Sequence, residues 1–425
     1  MLEVLDLRER GERLEPTRLE IDPTVSETVR GILQRVFVEG DDVLVELARR
    51  FDGAELDLAG LVVGDDEFAR ASAETPVELR DALDRLIERL HDLHARQLPR
   101  EWWDERDGVK FGEIVRPIRA VGCYVPGGRA VYPSSVCMVV APAVVAGVEE
   151  IVLATPPQPD GSIPASVLYA AARAGVGRVV KSGGAQAIGA LAYGTESVPQ
   201  VDRIVGPGNA YVTEAKRQVA GIVGIDGLAG PSEVVVVAGS DADPRFVAVD
   251  LIAQAEHDPE AKTHFLTVNP SLVERVRACM VDELATVGRR EIVEAALRCA
   301  RAIIVRDEAQ AAEIVNDLAP EHLLILLPDP RAFLEGVRNA GAIFLGQWSA
   351  VPFGDYGIAS NHVLPTAGTA RFSSGLRAAD FVTIRSVVEM DAGSSAKLAP
   401  EASTIARGEG LVGHARAMDA RKDRA

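Results

Sequence analysis

Few side chains in this chain can move a proton or hold a metal: its 425 residues include seven histidines and four cysteines. Gln254 and His257 are spaced i, i+3 near the end of a helical pattern, so both side chains share a face. Glu256 and Asp258 add carboxylates beside them. The pair could ligate a metal, or could equally be a satisfied surface pair. Asp355 and His362 lie in a polar stretch, residues 354–362, that has no apolar periodicity, as binding loops do. Glu321 and His322 follow Pro320 at the mouth of an apolar strand. A rigidly held His beside a Glu can act as a general base with a second proton carrier, or the two can simply cap a strand edge. Glu409 and His414 are five apart in a terminal helical pattern and carry little meaning alone. His91, His94 and His264 sit in patterned helix or strand, where structural or solvent-facing roles are expected. Cys123 and Cys137 have no basic neighbour in sequence, which argues for inert thiols.

Three glycine turns come next: Pro126-Gly127-Gly128, Gly183-Gly184-Ala185-Gln186 and Gly206-Pro207-Gly208-Asn209. Each follows a strand-like run and precedes a helical one. Each could be an ordinary βα turn, or could cradle a ligand phosphate on backbone N–H groups. Three in one segment point to a cleft at the carboxyl edge of a sheet. The literal G-x-G-x-x-G at Gly408, Gly410 and Gly413 has no strand before it and is discounted.

The elements that must position these residues fall into two textures. Ser26–Phe51 and Pro76–Leu98 read as amphipathic helices. From about residue 121, β-branched runs (151–154, 179–181, 204–205, 234–238, 264–268, 302–305, 322–327, 342–345) alternate with helical stretches. This alternation predicts parallel sheets, in two α/β units rather than one. Phe111–Pro117 reads as a further strand, and Ala396–Arg421 as a helical tail suited to dimerisation.

Composition excludes several classes. Lys plus Arg is 45 against 63 Asp plus Glu, a formal charge of −18, so a general nucleic-acid binder is not expected. The longest apolar run, Val136 to Val148, is too short to span a bilayer. The charged segment Met1 to Gly11 lacks the apolar stretch of a secretory signal, and no Cys-x-x-Cys pair is present, so a cytoplasmic protein is expected.

Taken in order, these segments resemble the histidinol dehydrogenases. The likeness runs through residues 121–128, 183–188 and 206–217, then Gly230-Pro231-Ser232-Glu233 and Gln254-Ala255-Glu256-His257. It continues through Pro320-Glu321-His322-Leu323, Asn361-His362-Val363-Leu364-Pro365-Thr366 and Glu409 to His414. The resemblance implies an α/β fold of two Rossmann-like domains with incomplete parallel sheets, plus small N-terminal and C-terminal helical dimerisation segments. The implied divisions are an arm over 1–22, a first domain over 23–120 and 234–375 carrying zinc and catalytic residues, a second over 121–233 for NAD, and a tail over 376–425 reaching a partner subunit.

By the same resemblance, Gln254, His257, Asp355 and His414 are ligands of one Zn²⁺ per subunit, and Glu321 and His322 are the acid/base pair. Ser232, His362 and Glu409 contact substrate together with His322 and the four ligand residues, and Tyr124, Gln186 and Asn209 contact NAD. The implied reaction is the four-electron oxidation of L-histidinol to L-histidine through a bound aldehyde, by a homodimer with intertwined C-terminal segments and with no nucleic-acid or membrane partner. His322 takes the alcohol proton, Glu321 activates water, and no thiol is needed. Histidinol, with its imidazole and amino group, suits a chelating metal in a template role. A relative oxidising another polar alcohol would keep the same scaffold. A non-redox zinc hydrolase would keep the ligands but leave the glycine turns without a role.

Overall fold

The structure is a computed structural model that describes residues 2–9, 14–15, 18–127, 130–356 and 360–422. Gly128 and the loop residues Gly357, Ile358 and Ala359 lie outside the described residues. The strands are, in chain order, β1 (Glu3–Asp6), β2 (Trp102–Arg106), β3 (Val109–Pro117), β4 (Ala120–Tyr124) and β5 (Glu150–Thr155). Next come β6 (Arg178–Lys181), β7 (Arg203–Val205), β8 (Gly224–Ile225), β9 (Glu233–Ala238) and β10 (Lys262–Thr267). The last four are β11 (Arg301–Ile304), β12 (His322–Leu326), β13 (Ala342–Leu345) and β14 (Val382–Met390).

The chain divides into two compact units, Met1–Gln97 with Arg119–Phe381, and Leu98–Ile118 with Val382–Ala425. The larger unit holds two parallel sheets, of order β1-β11-β10-β9-β12-β13 and β6-β5-β4-β7-β8. Strands β9 and β12, Glu-Val-Val-Val-Val-Ala and His-Leu-Leu-Ile-Leu, are buried at every residue. Such unbroken apolar runs are what a strand covered on both faces requires. The α/β reading therefore holds. Where the pattern was used to place strands, the ends differ by a residue or two.

Three readings change. Residues 23–97 were grouped with 234–375, but Val29, Leu33 and Val36 of helix Pro23–Glu39 share a core with Ile188, Leu191 and Val212 of the five-stranded half. An amphipathic stripe says that a face is buried, not against which partner. The 1–22 arm supplies β1, paired in parallel with β11, and Leu2 enters the core of the six-stranded half. The continuous terminal helix is two helices, Ala392–Gly408 and Val412–Lys422, packed on each other. Gly410 adopts φ +78°, and Leu411 N–H donates to Ala406 O at 2.8 Å. This left-handed helix stop favours glycine and turns the chain back.

The smaller unit is an antiparallel sheet of order β14-β3-β2 carrying that helix pair. Strand β14 was not expected: Ile384, Val388 and Met390 are exposed in this chain, so its alternation carries no one-sided burial to mark it.

Candidate active site

Glu321 and His322 are set by the turn that leads into β12. Helix Glu308–Leu318 stops at Ala319, whose φ of +47° is left-handed, and Pro320 follows. A non-glycine residue held there is strained by about 1 kcal/mol or more. The backbone beyond it is pinned, with Gly341 N–H donating to Pro320 O at 2.9 Å and Ala342 N–H to Glu321 O at 2.8 Å. Both side chains then lock onto one residue of β9. Glu233 N–H donates to Glu321 Oε2 at 2.8 Å, and His322 Nδ1 lies 3.1 Å from Glu233 O. Glu321 Oε2 and His322 Nδ1 are 3.5 Å apart.

Both groups are buried. Burial pushes the Glu321 carboxyl well above the usual range and the His322 imidazole down to about 3, because desolvation disfavours either charge. The ring therefore rests neutral. With Nδ1–H donated to a carbonyl, Nε2 is left as the acceptor.

Other candidate residues converge here. His257 and His362 each disfavour protonation of His322, and Asp355 disfavours ionisation of Glu321, so these groups lie within electrostatic reach of the pair. His362 is half-buried and its imidazole is pushed down to about 4 by desolvation, with Nδ1 3.8 Å from Asp355 Oδ1. Ser232 immediately precedes Glu233, and its carbonyl accepts from Lys262 N–H. Glu409 and His414 belong to the smaller unit and are exposed in this chain.

The residues for a metal can be tested on chemistry. Gln254 is buried in helix Pro244–Ala255, and its amide Nε2 has no hydrogen-bond partner. His257 lies at the surface of the chain with its imidazole lowered by desolvation, and Asp355 is raised to about 7 by desolvation with no cation among the described residues to compensate it. An amide end without a partner, an imidazole shifted away from its protonated form and a desolvated carboxylate fit a divalent cation. Among the described residues no three His, Cys, Asp or Glu side chains form a metal cluster. That agrees with a set in which one member is an amide and another, His414, sits in the other unit.

The nucleotide candidates occupy the carboxyl edge of the five-stranded sheet. Tyr124 ends β4, and its hydroxyl accepts from Gly184 N–H at 3.1 Å. Gln186 is buried in helix Gly184–Tyr193, and Asn209 caps helix Ala210–Val219 by accepting from Tyr211 and Val212 N–H. Gly206 has φ +116°, and a Cβ there would stand 2.0 Å from Tyr124 O, so only glycine fits. Cys123 and Cys137 are buried, their thiols pushed up by desolvation, as expected of inert cysteines.

The sequence profile described as histidinol dehydrogenase matches residues 16–422. The chain belongs to the histidinol dehydrogenase family. It is 48% identical over 395 residues to a histidinol dehydrogenase of Halalkalibacterium halodurans, covering 92% of this chain and 93% of that one. It is 46% identical over 403 residues to one of Gluconobacter oxydans, covering 94% of each. The crystal structure of histidinol dehydrogenase from Elizabethkingia anophelis superposes with TM-score 0.94 at 32% identity, over 100% of this chain and 98% of that one. An acetylating aldehyde dehydrogenase from Geobacillus thermoglucosidasius, at TM-score 0.50 and 14% identity, covers 87% of this chain and 97% of that one, and shares the fold alone. The family's activity, NAD-dependent oxidation of histidinol in histidine biosynthesis, is the activity of this chain.

Sequence reasoning missed the supports of the site. Glu233 serves through its backbone, which no motif reveals. Ser135 Oγ lies 3.2 Å from His362 Nε2. Asp250, one turn before Gln254 on the same helix, accepts from Val351 N–H and ties that helix to the segment carrying Asp355. Lys216 and Asp226 clamp Gly206 at both ends: Lys216 Nζ reaches Gly206 O at 2.6 Å, and Asp226 Oδ2 accepts Gly206 N–H at 2.7 Å.

Proposed function

We propose that the oxidation proceeds in two stages at one site, alcohol to aldehyde and aldehyde to acid, with His322 and Glu321 as its proton carriers. The observation that carries this is the shared anchoring of both side chains on Glu233, which fixes two buried groups of opposite protonation tendency side by side. His322, neutral and with Nε2 bare, takes the alcohol proton in the first stage. In the second, His322 returns its proton to the aldehyde oxygen while Glu321, in its ionised form a stronger base for being buried, takes one from water; the now neutral His322 accepts the proton of the hydrated aldehyde as hydride leaves. Gln254, His257, Asp355 and a second subunit's copy of His414 would hold Zn²⁺. Bound zinc would orient the substrate's imidazole and amino nitrogens, and NAD would take up the electrons of each stage.

His362, Ser232 and a second subunit's copy of Glu409 would contact histidinol, and Tyr124, Gln186 and Asn209 would line the NAD site. Exposure of Glu409 and His414 in the single chain is compatible with a homodimer whose C-terminal segments cross between subunits. The implied domains are a catalytic half built on the six-stranded sheet and a nucleotide half built on the five-stranded one. No helix among the described residues is long and apolar enough to cross a membrane, and we place the enzyme in the cytoplasm. The deciding assay supplies purified protein with histidinol or the aldehyde. Glu321→Gln is expected to impair aldehyde oxidation far more than alcohol oxidation. Equal rates with the aldehyde before and after that substitution would overturn Glu321's role.

A further inference from the structure

We propose that His94 is a positioning residue for substrate recognition: it acts through Asn361 to set the neighbouring His362. The inference rests on the reading of His362 as a substrate contact. Residues 360–366 belong to no helix or strand, so no ladder of backbone bonds orients His362. Side chains do that work. Helix Pro133–Ala146 contains Pro142, which has no N–H to give to the carbonyl four residues back, that of Met138. Asn361 Nδ2 fills that place, 2.7 Å from Met138 O. Its second amide hydrogen faces His94 Nε2 at 3.3 Å, and its Oδ1 accepts Val363 N–H at 2.9 Å.

Helix Val77–Ala95 delivers His94 to this point, continuing the buried stripe Leu83, Leu86, Ile87, Leu90. Its Nδ1 lies 2.8 Å from Gln97 Oε1, which also accepts from Ala378 N–H at 3.4 Å. Gln97 therefore presents an oxygen, Nδ1 carries the proton, and Nε2 is the acceptor that Asn361 needs. Every polar atom of the Asn361 amide is thereby assigned, and the amide has one orientation. Its neighbour His362 inherits that orientation, with Ser135 on the far nitrogen.

The test uses the full-length enzyme with zinc and NAD, measuring KM for histidinol and for NAD, kcat, bound zinc and Tm. His94→Leu should raise KM for histidinol about tenfold or more, the size expected when a contact group shifts within its site, and leave KM for NAD unchanged. His94→Gln, which keeps an acceptor and a donor, should restore much of the loss. His94→Leu combined with His362→Asn should be no worse for histidinol than His362→Asn alone. Pro142→Ala returns an N–H to the Met138 carbonyl without weakening the helix, and should raise KM for histidinol with no fall in Tm, which keeps the idea testable should His94→Leu not fold. An unchanged KM for histidinol in His94→Leu and Pro142→Ala, or a loss spread equally over both substrates, overturns the proposal. If His362→Asn itself leaves KM for histidinol unchanged, the reading of His362 falls and this proposal with it.

Discussion

The two parallel sheets carry their candidate residues at opposite edges. In each, the strand order reverses at one interior strand: β5 and β7 flank β4, and β10 and β12 flank β9. On the five-stranded sheet, the candidate residues sit at the carboxyl ends of β4 and β7, at Tyr124 and just past Val205. That is the usual ligand crevice of such folds. On the six-stranded sheet, Glu233 and His322 are the first residues of β9 and β12, so the pair sits at the amino ends.

The difference follows from what each edge offers. At the carboxyl edge, helices begin, at Gly184 and Ala210, and their positive dipole ends suit an anion. At the amino edge, helix Pro244–Ala255 ends beside Gln254 and His257, and the negative dipole end suits a cation. The halves also treat polar groups differently. Tyr124, Asn209, Lys216 and Asp226 are spent on holding backbone in place. Gln254 Nε2 is left without a partner and Asp355 without a counter-charge. One edge is a shaped backbone cradle; the other is a set of buried groups that a bound ion and substrate would satisfy.

This contrast can be broken by substitution. The largest effect is expected from His322→Asn, which should lower turnover of both stages by about 10²–10⁴-fold while titration of NAD, followed by fluorescence, gives an unchanged Kd. Next in size, chelation with EDTA should abolish histidinol turnover, and added Zn²⁺ should restore it. If chelation instead removed NAD binding, the assignment of the cation to the amino edge would be wrong. Gly206→Ala should do the converse. The clash with Tyr124 O and the positive φ should raise KM for NAD about tenfold or more and cost roughly 1–3 kcal/mol in urea unfolding, with bound zinc unaltered.

The smallest effect concerns the frame of the five-stranded half. Glu214 is buried on helix Ala210–Val219 and accepts from Arg217, Gln218 and Ser26. Those bonds, Arg217 foremost, hold its carboxyl down to about 2, against an ordinary 4.5. A depressed carboxyl stabilises the fold above its unfolded value, and that contribution is lost as pH falls through the folded one. Glu214→Gln should thus cost about 1–2 kcal/mol at pH 7, and the gap from the parent should close between about pH 4.5 and pH 2. A gap independent of pH would show that the charge is not what matters.

Much of this was legible in the residues. The strand-and-helix alternation was read correctly because buried parallel strands leave unbroken β-branched runs, and the glycine turns marked one edge because few other residues can make them. Strand β1 escaped notice because Glu-Val-Leu-Asp is too short to carry a period. Glu321 and His322 stood out through Pro320 and the apolar strand after it, though their common anchor on Glu233 is 88 and 89 residues away. His94 shows a signal that was present and passed over: it lies four residues after Leu90 on the buried stripe, which a solvent-facing histidine would not.

The chain's own pattern of residues therefore determined the α/β class, the inert cysteines, the turns that only glycine can make and, through eight ordered segments, the family. These are local properties, written in spacing and side-chain chemistry. Only the tertiary structure decided that residues 23–97 cover the five-stranded half, that the tail folds back on itself at Gly410, and that His94 meets Asn361. Each of those depends on which buried face meets which, and on where a carbonyl is left free. Contacts of that kind form between segments far apart in the chain, where no local period records the partner.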